Sequence, residues 1–283
     1  MRRLLLIIFF VIFSFGASYA QKALDKSILW EISGNGLKES SYLLGTFHMV
    51  CSADLYVADK VMSAIGAVDQ IALEVNLADR NELMSIQELM VSPITLSSQL
   101  TEVEKEEFRL LLKKKYALDL EVVDQLPPIL VMGMLAMKEI SCEVTGYDME
   151  ILQIGLSQNK HFIGLERFKD QIEITNQLYT AKEILLQLKE KDSTETSFDS
   201  MVVAFNQEDI EALYAMAIDP KSLSEEGKIS LLDNRNRAWI KKMLDIMPKK
   251  RTLFAVGAGH LAGEVGVIAL LKEKGFTVHA ILN

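Results

Sequence analysis

The chain has 283 residues, is 49% hydrophobic and 24% charged, and carries a formal charge of -9 at pH 7. Such a composition excludes an intrinsically disordered chain and leaves ample apolar residues for a core. The acidic balance, 39 Asp and Glu against 30 Lys and Arg, argues against nucleic acid or an anionic lipid surface as a partner.

Arg2 and Arg3, the short apolar run over residues 4–15, and the small-residue ending Ala17-Ser18-Tyr19-Ala20 predict a secretory signal peptide over residues 1–20. The run is too short to span a bilayer comfortably, and no cysteine follows Ala20 to receive a lipid. Cleavage removes two basic residues and no acidic ones, so the mature chain is more acidic still. After Gln21 no uninterrupted apolar stretch is long enough to cross a membrane. The expectation is a single exported domain over residues 21–283, periplasmic or secreted. Cys51 and Cys142 are the only cysteines. In an oxidising compartment they can pair, although their separation does not establish that they do.

In chain order, residues 27–32 and 41–47 flank Gly34-Asn35-Gly36 and predict a β-hairpin. Residues 54–67 read as a helix and the apolar run 71–75 as a buried strand. From 81 to 141 the pattern is mostly helical, with a T-x-x-E capping box at Thr101 and Glu104 and a break at Leu126-Pro127-Pro128. A further helix is predicted over 147–158 and a strand over 161–164. Helices follow from 167 to 247, interrupted by a polar loop over 189–197. The end of the chain reads as a βαβ unit: strand 252–256, a turn at Gly257-Ala258-Gly259-His260, helix 263–274 and strand 276–282, with parallel neighbours implied. The fold class is therefore α/β: a small, mostly parallel central sheet from two βαβ-like halves, flanked by many helices.

Two of the four histidines stand in matching contexts, a strand followed by G-x-x-H: Gly45 to His48 and Gly257 to His260. The carboxyl ends of strands in open α/β sheets are where ligands bind. Glycine there is expected to let the backbone leave the strand in a conformation other residues resist. Glu74 closes the strand 71–75 on the face opposite Ile71, Leu73 and Val75, where a buried carboxylate needs a cation; otherwise it is an exposed strand end. Two imidazoles and a carboxylate form a reasonable ligand set for a divalent transition metal, manganese, cobalt or zinc, with a position open to water. Arg235 and Asn236 interrupt an apolar helical stripe that includes Leu232, Trp239, Ile240 and Met243. The guanidinium must meet a structural acid, such as Asp148, or an anion formed during a reaction. Asn236 is a candidate to hold a metal-ligating side chain in place or to contact substrate. Glu264, four residues after His260, either orients that imidazole or is an ordinary acid in the first turn of a helix. His161 and His279 fall within strands and read as packed or surface residues. No G-x-S-x-G elbow, H-E-x-x-H helix, Walker loop or C-x-x-C pair is present, and Gly257-x-Gly259 lacks the third glycine of a dinucleotide fingerprint.

With these residues in view, the chain resembles the TraB/GumN family, bacterial relatives of the Tiki proteins. The resemblance rests on Tyr42-Leu-Leu-Gly-Thr-Phe-His48, Glu74, Gly146-Tyr-Asp148, Gly164-Leu-Glu166 with Gln171, Arg235-Asn236, and Val256-Gly-Ala-Gly-His-Leu-Ala-Gly263. For the animal Tiki members it implies a metal-dependent protease that clips the amino-terminal part of a secreted signalling protein. On that likeness His48 and His260 would be metal ligands, Glu74 a ligand or general base, and Arg235 a stabiliser of charge on the scissile carbonyl. Three function classes follow: a metal-dependent peptidase acting on a peptide or protein of the cell envelope, a non-catalytic protein binding a peptide or small ligand in the same cleft, and a structural envelope protein. The peptidase is the favoured expectation.

Overall fold

The computed structural model describes residues 23–190 and 195–283. The expected signal peptide and the middle of the expected polar loop lie outside the described residues. Strands β1 (Leu29–Ser33) and β2 (Ser41–Thr46) form the predicted antiparallel hairpin, in register from Leu29↔Leu44 to Ile32↔Ser41. Its turn takes Gly34, Asn35 and Gly36 through consecutive positive φ values of 76°, 47° and 80°, conformations that glycine and asparagine adopt most readily. The remaining strands are β3 (Val50–Cys51), β4 (Gln70–Val75), β5 (Val144–Thr145), β6 (His161–Glu166), β7 (Thr252–Gly257) and β8 (Thr277–Ala280).

Six strands form one sheet in the order β6-β4-β7-β2-β1-β8, and β3 and β5 form a separate antiparallel pair. The four strands β6, β4, β7 and β2 are mutually parallel, so the sheet is mostly parallel as expected. The neighbours differ from the expectation. The terminal βαβ unit does not place its strands side by side, because β8 pairs antiparallel with β1 at the edge. Strand β7 instead inserts between β2 and β4. The two halves of the chain thus interleave, and their equivalent strand ends become adjacent.

Leu29, Trp30, Ile32, Leu43, Leu44, Ile71, Phe254 and Trp239 are almost fully buried in the core around this sheet. Each such side chain contributes roughly 1.5–3 kcal/mol through burial, before the opposing loss of conformational entropy. A second cluster, with Phe108, Leu112, Val131, Ile184 and Leu185 at its centre, is built by the helices Glu102–Tyr116, Pro128–Glu139 and Ala181–Glu190. The predicted capping box is present: Thr101 Oγ1 accepts from the Glu104 amide, and the Glu104 carboxylate accepts from the Thr101 amide. Pro128 occupies the first turn of its helix, where a missing N–H costs nothing.

Two helices are shorter than predicted. The first runs over Asp59–Ala67 rather than 54–67. The last runs over Val267–Glu273 rather than 263–274, because Gly263 adopts a φ of 89° against the ring of Tyr214 and the chain continues as turns to Gly266. Cys51 and Cys142 are joined by a disulfide, with their Cα atoms 5.6 Å apart.

Candidate functional site

Each of the four parallel strands delivers one polar side chain at or just beyond its carboxyl end. Glu166 ends β6, Glu74 lies one residue from the end of β4, His260 follows β7 and His48 follows β2. The β7 insertion is what makes the two G-x-x-H segments neighbours, since Thr46 pairs with Gly257. The glycines serve this packing in a way other than expected. Neither Gly45 nor Gly257 has a positive φ among the described residues. A Cβ on Gly45 would lie 3.1 Å from Cβ of Ala258, and one on Gly257 would lie 3.3 Å from Oε1 of Glu74. Close approach, not backbone conformation, selects glycine at both positions.

Glu74 is buried, and its Oε1 accepts the Gly257 amide at 2.8 Å. Its Oε2 accepts from Nη2 of Arg235 at 2.6 Å and from Nε2 of Gln171 at 3.1 Å. Burial alone would raise the Glu74 pKa, but Arg235, His260, His48 and the Gly257 amide together lower it to about 2. The cation that Glu74 needs is therefore Arg235. That guanidinium also bonds Glu166, Nη2 to Oε1 at 2.5 Å and Nε to Oε1 at 3.0 Å, so the acids it meets are Glu74 and Glu166 and not Asp148, the example considered. Burial opposes the charge on Arg235, and the two carboxylates hold it protonated.

Arg235 sits just past a π-helical turn, Ile229–Asp233, in which the Asn234 amide reaches back to the Ile229 carbonyl. Its Nη1 donates to the Leu231 carbonyl at 3.0 Å and to Nε2 of His260 at 3.2 Å. Trp239, one turn further along the helix Asn234–Ile246, donates its Nε1–H to Glu166 at 3.2 Å and packs its ring 4.5 Å from that of His260.

His260 is buried, and its Nδ1 lies 2.7 Å from Oδ1 of Asn236. The Asn236 amide nitrogen donates to the carbonyls of Val265 at 2.9 Å and His260 at 3.3 Å, which fixes the amide orientation. His260 accordingly carries its proton on Nδ1 and presents a lone pair at Nε2. Burial and the Arg235 charge lower its pKa to about 3. Asn236 thus fills the orienting role considered for Glu264, which is exposed and lies on a turn rather than on a helix.

His48 differs in setting: its side chain is 63% exposed, with Nδ1 3.3 Å from Oδ1 of Asp148. The contact is electrostatic, since Oδ1 of Asp148 is buried without a well-formed hydrogen bond. Asp148 raises the His48 pKa to about 9 against partial burial, with Glu74 adding to the rise. The β3–β5 pairing, the Cys51–Cys142 disulfide and the Tyr147 amide bond to the Phe47 carbonyl hold the two loops together. Gly146 allows the approach, because a Cβ there would lie 3.3 Å from the carbonyl oxygen of His48 and 2.8 Å from Oδ1 of Asp148.

The ligand types suit a divalent metal: both imidazoles turn Nδ1 toward a side-chain oxygen, so Nε2 is the nitrogen left to ligate, directly on His260 and on His48 after it gives up the proton that Asp148 favours. Among the described residues, no group of three or more His, Cys, Asp or Glu side chains is arranged to hold an ion as it stands. Arg235 instead bonds both Glu74 and His260. Glu166 and Gln171 are the site members that residue-by-residue reading left without a role, and Asp148 had been considered only as a partner for Arg235. Their short motifs, Gly164-Leu-Glu166 and Gly146-Tyr-Asp148, were the available signal. His161 lies on β6 and His279 on β8, both exposed.

A model of the TraB/PrgY/gumN family matches residues 28–280. A protein described as a metalloprotease TIKI homolog, from Amphimedon queenslandica, is 35% identical over 66 residues, covering 22% of this chain and 13% of that protein. No solved structure matches the chain.

Proposed function

The chain belongs to the TraB/PrgY/gumN family, and from that premise we propose that it is an exported, metal-dependent hydrolase that cleaves a peptide or protein of the cell envelope. One observation carries the reading: His48, Glu74 and His260 come from adjacent parallel strands, and each imidazole has Nδ1 set against an oxygen acceptor. His48, Glu74 and His260 would hold manganese, cobalt or zinc. Such an ion would lower the pKa of a water molecule and polarise the scissile carbonyl.

The other roles belong to the chain itself. Asn236 keeps the proton of His260 on Nδ1, so that Nε2 can ligate once Arg235 releases it. Glu74, with donors on both oxygens, stays ionised and serves as an anionic ligand. Glu166, with Trp239 and Gln171 donating to it, keeps Arg235 at the cleft while Nη1 changes partner. Arg235 then balances negative charge on the substrate carbonyl oxygen, where a preorganised donor is worth most. Asp148 orients His48. The Cys51–Cys142 disulfide supports action in an oxidising compartment.

The arginine contact with His260 favours a second reading, in which the same cleft binds a peptide or small ligand without turnover. Metal content and affinity, measured on the chain from Gln21 by mass spectrometry and calorimetry, separate the two. The hydrolase reading expects about one divalent ion per wild-type chain and none in a folded His48→Ala/His260→Ala variant. Absence of binding by the wild type at neutral pH would sink it in favour of the second.

A further inference from the structure

Beside the polar site lies a separate recess of about 360 Å³, within the range of small ligand pockets. Thr46, His48 and Glu74 line both, so the recess opens directly onto the polar groups. Its other walls are mostly apolar: Leu77, Ile86, Met90, Leu130 and Phe168. Three separate helices, Arg80–Leu89, Pro128–Glu139 and Phe168–Leu178, supply or adjoin four of these residues. The first of them buries none of its own residues, and Leu83, Met84 and Met90 remain exposed along it. Of these three, Met90 lines the recess.

One polar group in the wall has an unused function. Gln171 donates from Nε2 to Glu74 at 3.1 Å and to Glu166 at 2.7 Å, which uses both amide hydrogens and fixes the amide orientation. Its carbonyl oxygen therefore accepts no bond from those partners, and Gln171 is one of the residues lining the recess.

We infer that this recess is the selectivity pocket of the site: it takes a large apolar side chain, leucine, methionine or phenylalanine, from the residue beside the scissile bond, while Gln171 Oε1 accepts a backbone N–H of the same substrate. The inference rests on the peptidase reading above and adds the class of sequence that is cut. Gln171 is then a positioning residue, coupling substrate alignment to the two carboxylates that hold Arg235. Met90, at the rim and 41% exposed, sets how large a side chain enters.

The test has two arms. In the first, the metal-free chain from Gln21 is titrated, by nuclear magnetic resonance, with the blocked tripeptides acetyl-Gly-Xaa-Gly-amide, where Xaa is alanine, leucine or phenylalanine. Leucine and phenylalanine are expected to bind about tenfold tighter than alanine, a typical discrimination by an apolar pocket, and Met90→Trp to abolish the preference. In the second, the manganese-, cobalt- or zinc-supplemented chain digests a proteome-derived peptide library. Large apolar residues are expected to be enriched at one position next to the cut, shifting to small residues in Met90→Trp. Cleavage without apolar enrichment, with equal binding of the alanine and leucine peptides, overturns the selectivity pocket and leaves the hydrolase standing. An apolar binding preference without cleavage under any of the three metals overturns the peptidase reading and leaves a ligand-selective recess.

Discussion

The side-chain oxygen of Asn236 fixes which nitrogen of His260 carries the proton, because the amide nitrogen of Asn236 is already committed to the carbonyls of Val265 and His260. Replacing Asn236 with alanine removes that constraint. The His260 imidazole is expected to populate both tautomers, seen in nitrogen-15 spectra of the metal-free chain. Metal affinity should fall about 10- to 100-fold, as for other outer-shell partners of ligating histidines. An unchanged tautomer and unchanged affinity would show that Asn236 only packs.

Arg235 balances two buried carboxylates, so its loss should be costly for stability as well as for any reaction. Arg235→Met is expected to lower unfolding free energy by about 3–5 kcal/mol, the usual result of stranding a buried charge. Urea denaturation measures this. Adding Glu74→Gln and Glu166→Gln should recover much of the loss; if it does not, the guanidinium acts through packing on Trp239 rather than through charge.

Glu166 contacts Arg235, Gln171 and Trp239, and so, on the proposed hydrolase reading, should influence turnover without ligating a metal. Glu166→Gln is expected to leave metal stoichiometry intact while lowering kcat/KM about 10- to 100-fold, the scale of an outer-shell defect. Parallel measurements of metal content and turnover decide the point: loss of metal in the variant would place Glu166 among the groups that build the ligand set.

The disulfide closes a loop across 91 residues of sequence separation. Cys51→Ser with Cys142→Ser should cost about 2–5 kcal/mol. The loss should appear as loosened contact between the His48 and Asp148 loops before the sheet itself opens, which hydrogen exchange can resolve. Equal destabilisation of β4 and β7 amides would contradict that localisation.

Gly155 packs where a Cβ would meet Cζ of Phe162 at 2.5 Å and Cδ1 of Ile71 at 2.6 Å. Gly155→Ala is therefore expected to destabilise by about 1–3 kcal/mol through overpacking, despite improved helix propensity. Thermal denaturation would reveal the sign directly.

The hairpin, the apolar strand around Leu73 and the Thr101 capping box were legible because each is a local signal: a Gly-Asn-Gly turn, a short apolar run, and an acceptor three residues ahead of an acid. Strand neighbours were not. Nothing near residues 252–257 states that β7 will enter between β2 and β4, since that order is decided by packing across the whole sheet. The candidate site was half legible for the same reason. His48 and His260 announce themselves through repeated spacing, and Arg235 through its break in an apolar stripe. Glu166 and Asp148 become meaningful only when Arg235 and His48 arrive beside them in space. The hydrogen-bond partner of His260 illustrates the limit well. Four-residue spacing pointed to Glu264, but Gly263 turns the chain before a helix can form, and the role falls to Asn236 from a different element.

The wide turn at Ile229–Asp233 gives the chain a place beside the site where a one-residue change of length is absorbed. A π turn holds about one residue more than an α turn, so deleting one residue there lets it close to an α turn while the helix beyond it keeps nearly the same phase. A single-residue deletion between Arg235 and Trp239, inside the helix Asn234–Ile246, has no such turn to absorb it and would rotate the two side chains apart by about 100°.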